Sequence, residues 1–277
     1  MALDSLLSCS VRDCGEALVR GERVWSCARR HSFDVAKSGY VNLLQPQDRR
    51  SSSAGDARAA IDARARLLAR GVGTGLLDEV RRWCAALGLA PGAVALELGS
   101  GTGELLGALH AELGLEACGI DLAASAAEHA ARKFPGVTWL VANADRRLPV
   151  RDHTVDLVLS VHGRRNPSEC ARVLRPSGRF LLAVPAPDDL IELRAVAQGR
   201  GLERERVPAL LAELAPDFDV LEQKTFREQR RLAHAELVDL LHSTYRSGRG
   251  RGRVAALEEL TATLASELVL CAPRSAR

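Results

Sequence analysis

The sequence predicts an α/β protein, a Rossmann-like doubly wound sheet carrying a small N-terminal zinc-binding module. Three observations lead there. After about residue 57, five short and nearly continuously apolar segments alternate with helical stretches, the pattern of strands buried on both faces of a parallel sheet. A glycine-rich stretch, Gly99-Ser100-Gly101-Thr102-Gly103, joins the first of those segments to the helix that follows, where such folds bring backbone close to a ligand. Residues 1–45, by contrast, are rich in Cys, Arg and Gly and show no helical periodicity.

Cys9, Cys14, Cys27 and His31 form the pattern C-x4-C-x12-C-x3-H. Two close ligand pairs separated by a spacer suit a tetrahedral Zn²⁺ site, and four protein ligands make it closed and therefore structural. A segment this small buries little apolar surface alone, so metal binding is expected to supply its folding energy. The other four of the seven cysteines, Cys84, Cys118, Cys170 and Cys271, sit singly on apolar segments and read as core thiols. An odd cysteine total in a chain of 277 residues argues against a disulfide framework.

Residues 46–60 read as a polar connector. The expected division is a zinc module over 1–45, a linker and linker helix over 46–75, and a catalytic α/β domain over 76–277. The expected strands are Val94–Leu98, Ala117–Ile120, Thr138–Ala142, Val155–Val161 and Arg179–Val184. Helices are expected over Glu104–Leu113, Ala124–Lys133 and Ser168–Leu174. Two further strands are expected near Val220–Phe226 and Glu267–Cys271, and Ser247–Arg253 reads as an exposed basic loop. The net charge is only +3, so any nucleic-acid contact depends on where charge is placed. Met1–Ser10 is too short and too weakly apolar for a signal sequence, and no apolar run approaches the ~18 residues of a membrane span. The expected location is cytoplasmic.

Glu97 precedes the glycine loop, and Asp121 closes the second strand. Glu104 stands where a dinucleotide fingerprint needs Gly or Ala, and there is no Gly-Lys-Ser/Thr, so no pyrophosphate site is implied. An acid at Asp121 suits the two hydroxyls of an adenosine ribose. This set resembles motifs I and II of class I S-adenosylmethionine (SAM)-dependent methyltransferases. That likeness makes Glu97, Gly99, Ser100, Gly101, Thr102, Gly103, Asp121 and Leu122 the expected cofactor residues, with Asn143, Ala144 and Asp145 at the adenine.

A narrower resemblance follows. The four metal ligands, then Phe33-Asp34-Val35-Ala36-Lys37-Ser38-Gly39-Tyr40-Val41-Asn42-Leu43-Leu44 and Gly55-Asp56, resemble the zinc-containing 23S rRNA (guanine-N1)-methyltransferases. Ala171–Gly178 and Leu190-Ile191-Glu192-Leu193 extend the likeness, which covers roughly residues 8–200. It implies S-adenosyl-L-methionine and structural Zn²⁺ as cofactors, a 23S rRNA stem-loop as partner, and a homodimer. It implies methyl transfer to N1 of a guanine, and some family members confer macrolide antibiotic resistance. The chain departs from the family at His162-Gly163-Arg164. A family histidine that contacts the cofactor falls on Asp189, and a family aromatic falls near Gly73.

Methylation of guanine N1 requires loss of its proton, so a general base is needed near the transferred methyl. His162, in the loop after the fourth strand, and Asp189 are the candidates. Arg164 or Arg165 would steady an anionic base or grip a phosphate. Arg29-Arg30, Lys37, Arg49-Arg50 and Arg246–Arg253 are the expected RNA-facing cations, with Tyr40 or Trp25 as stacking surfaces. Two other readings fit the same residues: a methyltransferase of another RNA or a small molecule, and a non-catalytic RNA-binding protein.

Overall fold

The computed structural model describes residues 6–48, 55–201, 203–244 and 251–274. The chain begins with a three-stranded antiparallel sheet, β1 (Leu18–Arg20), β2 (Val24–Cys27) and β3 (Ser32–Asp34). β4 (Val41–Asn42) then pairs parallel with a strand of the large sheet. Helices α1 (Arg58–Ala69) and α2 (Thr74–Ala86) lead into the alternating region. There β5 (Val94–Leu98), α3 (Glu104–Leu113), β6 (Glu116–Asp121), α4 (Ala124–Lys133) and β7 (Thr138–Val141) follow in order. β8 (Val155–Val161), α5 (Pro167–Val173) and β9 (Leu174–Pro185) complete the parallel strands. The chain ends with α6 (Ile191–Gln198), α7 (Val207–Leu214), β10 (Phe218–Ala233), α8 (His234–Thr244), α9 (Arg251–Ala255) and β11 (Glu259–Pro273).

The eight-stranded sheet has the order β10-β11-β9-β8-β5-β6-β7-β4, with β10 and β11 antiparallel. Strand order reverses between β5 and β8, and the crevice beyond their carboxyl ends is where doubly wound sheets bind ligands. Alternation along the buried strands divides the core. Leu96, Leu98 and Val158 face one cluster, while Ala95, Leu157 and Leu159 face the other with Val80 and Cys84 of α2 and Leu105, Leu106 and Leu109 of α3. A third cluster joins α1, α6, α8 and α9, through Leu67, Leu193, Leu237, Leu240 and Val254, into a helical cap.

Several boundaries differ from the sequence expectations. Leu174 opens β9 rather than closing a helix, pairing with Val155. The two terminal strands are far longer than expected, because β10 is an edge strand with Glu222, Lys224, Arg227 and Arg231 exposed and carries no apolar alternation to announce it. α8 and α9 occupy ground without a strong helical pattern, and Arg251–Arg253 is the first part of a helix rather than a loop. The zinc module also buries more than its size suggests. Leu6, Leu7, Leu18 and Trp25 belong to the same core cluster as the large sheet, and Leu7 bridges Val150. Metal is therefore not its sole support, and Trp25, only 2% exposed, is not available for stacking on a base.

Candidate functional site

The metal ligands meet closely. The ligand atoms of Cys9, Cys14, Cys27 and His31 all lie within 4.8 Å of one another. Cys14 Sγ is 3.8 Å from Cys27 Sγ, and His31 Nδ1 lies 3.4 Å from Cys9 Sγ and 3.5 Å from Cys27 Sγ. Tetrahedral bonds of about 2.3 Å to sulfur and 2.0–2.1 Å to nitrogen give edges of about 3.5–3.8 Å, so the four ligands fit Zn²⁺. They sit on turns flanking β1 and β2, with Arg30 N–H bonded to Cys27 O at 2.9 Å. The remaining cysteines behave as core: burial pushes the thiols of Cys84, Cys118, Cys170 and Cys271 up to about 12.

A cavity of about 1130 Å³ opens at the reversal of strand order, just above the usual range for small-molecule sites. One side is built by the loop after β5. Here Gly99 lies against the loop after β8 so closely that a Cβ would come within 3.0 Å of Gly163 Cα. A Cβ on Gly163 would in turn lie 2.3 Å from Leu98 O. Gly163 is thus a site-building residue whose purpose only the crossing of two loops reveals.

Glu97 is 4% exposed and its Oε2 has no hydrogen-bond partner, and neither does the buried Oγ of Ser100. Burial, reinforced by Glu104 and Asp121, holds the Glu97 carboxyl well above the usual carboxylate range. An unsatisfied, buried acid of this kind is costly unless a cationic or hydrogen-donating ligand group meets it. Asp121 accepts the Gly101 N–H at 2.9 Å through Oδ2 and the Ala123 N–H at 2.8 Å through Oδ1. Burial raises its pKa, opposed by those two bonds. Thr102, Leu122, Ala144 and Asp145 line the same space. Asn143 also lines it, but its amide is engaged, donating to Asp48 O at 2.9 Å and accepting from Asp145 N at 2.9 Å. Gly103 caps α3 and packs against Trp139.

The connector closes over this half. Gly55 packs on the backbone of Ala123, and Arg64 from α1 reaches Asp56 Oδ2 at 3.2 Å and Ser243 O at 3.3 Å. Arg64 lies beside Gly101 and was not singled out by the sequence, where it is one arginine among several on a helix. Gly73, at the family aromatic position, caps α2 and lines the cavity.

The opposite half is assembled from the loops after β8 and β9. His162 retains exposed surface on the cavity and sits at φ 52°. Its Nε2 is 2.8 Å from Ser266 Oγ. Burial and then the charges of Arg64 and Arg206 push its pKa down to about 4. Asp189 accepts the Ala265 N–H at 3.0 Å through Oδ1. Its pKa is raised to about 6 by burial, against the pull of that bond and of Arg194 and Arg206. Adjacent residues of β11 thus anchor both candidates.

Two cations of the loop after β8 line the cavity, Arg164 exposed and Arg165 partly buried. Arg164 is 3.7 Å from Asp145, and Arg165 pairs with Glu213 at 2.8 Å. Arg29, Arg30 and Lys37 are exposed on the zinc module, while Tyr40 packs half-buried against the core. Arg49, Arg50, Tyr245 and Arg246–Gly250 lie outside the described residues. No helix among the described residues is long and apolar enough to cross a membrane.

Comparison with known proteins fits this geometry. Residues 8–52 match the zinc-ribbon family described as RlmA, N-terminal, and residues 95–178 match a methyltransferase domain. A 23S rRNA (guanine(748)-N(1))-methyltransferase of Streptomyces fradiae is 36% identical over 81% of this chain and 80% of its own length. The chain belongs to the 23S rRNA (guanine-N1)-methyltransferase family. A Micromonospora griseorubida protein named for the same guanine-N1 reaction is 32% identical over 96% of this chain and 97% of its own length. In solved structures, a methyltransferase of Galdieria sulphuraria named for sarcosine and dimethylglycine superposes with a TM-score of 0.50 at 16% identity, covering 73% of this chain and 87% of that one; it shares the fold. The cofactor of this family member is S-adenosylmethionine and its N-terminal metal is structural zinc.

Proposed function

We propose that this enzyme methylates N1 of a guanine in a stem-loop of 23S rRNA. The observation that carries the reading is the pairing, within one cavity, of an unsatisfied acidic cradle at Glu97 with a carboxyl at Asp189 whose pKa is raised to about 6.

When bound, S-adenosylmethionine supplies a methyl group on a sulfonium. Glu97 and Ser100 would hold its amino-acid end, Asp121 would take the ribose hydroxyls, and Ala144 and Asp145 would border the adenine. The Gly99 and Gly163 backbones cross closely, and the acceptor is assigned to the part of the cavity lined by His162 and Asp189. Asp189 receives the N1 proton. A conjugate acid near 6 lies close to the working pH, which favours it over His162, whose pKa of about 4 makes it a weak base. His162 then ties the loop after β8 to β11 through Ser266. Alignment in a dry pocket supplies most of the remaining acceleration.

In the same reading, the zinc module over 1–45 grips the stem-loop through Arg29, Arg30 and Lys37, Gly55 and α1 of the 46–75 linker close over the cofactor, and the α/β domain over 76–277 performs the transfer. Two copies pair along the outer strand β10, where Val220 and Leu221 are 44% and 51% exposed. Sedimentation of the V220E variant tests that pairing.

Full-length relatives named for rRNA favour RNA over a small-molecule acceptor. The deciding experiment incubates the enzyme with tritiated methyl donor and unmodified 23S rRNA, then maps the product by primer extension. A methyl on N1 blocks Watson–Crick pairing, so one strong stop at a guanine is expected. Label entering a metabolite extract but never RNA overturns the proposal.

A further inference from the structure

Beyond the groups used above, the cavity carries an arginine cluster. Arg194 of α6 is 5% exposed, lines the cavity, and has an Nε with no hydrogen-bond partner. Its Nη2 donates to Pro187 O at 2.8 Å. Arg206 lines the same wall and donates from Nη1 to Pro185 O at 3.2 Å. Arg204 binds Pro187 O through its backbone N–H at 3.0 Å and Gln198 Oε1 through Nη2 at 3.3 Å. The guanidinium groups of Arg194 and Arg206 thus meet the end of β9 and the residues just after it, and the Arg204 backbone is tied to the same segment.

The carboxylates nearby do not satisfy them. Asp189 is held by the Ala265 N–H, Asp188 pairs with Arg227 at 2.9 Å, and the Glu205 carboxyl accepts the backbone N–H groups of Arg206 and Val207. Crowding among like charges is evident at Arg206, whose pKa is lowered first by burial and then by Arg204 and Arg194. A cluster that runs from buried Arg194 through half-buried Arg206 to exposed Arg204, with an unmet donor, gains from an oxyanion that takes several hydrogen bonds at once.

Electrostatic neighbours order the cavity. Arg64 acts on both Asp121 and His162, Arg206 acts on both His162 and Asp189, and Arg194 acts on Asp189. Pro185 and Pro187, held by Arg206 and Arg194, lie at and just beyond the end of β9, His162 follows β8 and Asp121 closes β6, so in the sheet order β9-β8-β5-β6 the cluster lies past His162, on the far side from the ribose-binding acid.

We propose that Arg194, Arg204 and Arg206 form a phosphate subsite that holds the backbone phosphate of the target nucleotide once it leaves its stack. This rests on the reading of the acceptor as a nucleotide. An extruded base needs its backbone fixed as well as its edge read, and arginines without base contacts do this irrespective of sequence.

Calorimetry on the zinc-loaded full chain with S-adenosylhomocysteine bound tests the subsite, with guanosine, guanosine monophosphate, adenosine and adenosine monophosphate as probes. Wild type is expected to bind each monophosphate about tenfold more tightly than its nucleoside, the effect of one charge-assisted contact. Arg206→Gln and Arg204→Gln are expected to remove most of that difference while changing S-adenosylhomocysteine affinity less than twofold. Both are less buried than Arg194, so they keep the test open if Arg194→Gln fails to fold. Equal binding of nucleoside and monophosphate, or no binding of any, overturns the subsite. A parallel loss of S-adenosylhomocysteine affinity also overturns it, assigning the cluster to the cofactor carboxylate. Equal affinity for the guanine and adenine monophosphates, both above their nucleosides, keeps the subsite and refutes guanine as the acceptor.

Discussion

The two halves of the cavity differ in charge and in origin. The half proposed for the cofactor is acidic, with Glu97, Glu104 and Asp121, and comes from one β-loop-α unit and the end of the next strand. The acceptor half is basic, with Arg164, Arg194, Arg204 and Arg206, and comes from loops after β8 and β9, α6, and a register contact with β11. An acidic cradle suits a cationic cofactor, and a basic wall suits a polyanion. The contrast shows a site divided by ligand charge, with Asp189 as a carboxyl placed on the cationic side.

Asp189→Asn is the sharpest attempt to break that division. Without the base, kcat is expected to fall about 10²- to 10⁴-fold while cofactor affinity holds. His162→Gln is expected to cost less than tenfold. Single-turnover rates on rRNA and binding of S-adenosylhomocysteine separate the outcomes. A base must be ionised to work, so the wild-type rate rises with pH through about 6 and levels above it. The Asn variant loses that inflection. A histidine-dominated profile, with its inflection near 4 and lost in His162→Gln, reverses the assignment.

Next in size is the cradle itself. In Gly103→Ala the new Cβ lies 2.7 Å from Trp139 and 2.8 Å from Ala130 at φ +85°. Overpacking and the left-handed backbone together cost roughly 3 kcal/mol, or roughly 10 °C in Tm. Gly88→Ala, at φ +62° with nothing within 4 Å, is the control and is expected to cost about 1 kcal/mol. Equal losses by thermal denaturation mean the cradle is not tightly packed.

Glu97→Gln separates stability from function. It is expected to weaken the cofactor about 10- to 100-fold, the worth of a charged hydrogen bond. In the folded protein the Glu97 carboxyl has its pKa raised above the ordinary value of 4.5. The unfolded chain therefore releases this proton first, and stability of the cofactor-free protein is fullest below 4.5 and lost as pH rises through the raised value. Gln abolishes that loss, so the cofactor-free variant melts higher than wild type at neutral pH. A lower Tm there contradicts the raised pKa.

The smallest effect belongs to the rim. Arg164 is exposed, and Arg164→Ala is expected to weaken an rRNA hairpin less than tenfold. It should reduce the slope of log K against log salt by about 0.7–0.9, the signature of one phosphate contact. An unchanged slope leaves Arg164 out of the RNA path.

Much of the cofactor half was legible in the chain because its parts are close in sequence and obey local rules. An apolar strand, a glycine turn and an acid at the next strand end lie within Val94–Asp121, and the strand at Val94–Leu98 falls where the apolar run places it. The metal ligands were legible for the same reason, since turn geometry ties spacing to coordination. The acceptor half was not. Arg64 and Arg206 each stand among other arginines, beside Arg66 and Arg204, and Arg194 stands on a helix, so no local pattern singles them out. Ser266 and Ala265 matter only because β11 runs antiparallel beside β9.

Local pattern thus determined the elements from β5 to β8, the metal ligands and the glycine cradle, since backbone conformation and apolar periodicity act over a few residues. Tertiary structure decided the rest. It merged the zinc module into the core of the large sheet, closed α1 over the cofactor loop, and raised Asp189 while lowering His162. Those outcomes depend on desolvation and on charges distant in sequence, which no short stretch of chain contains.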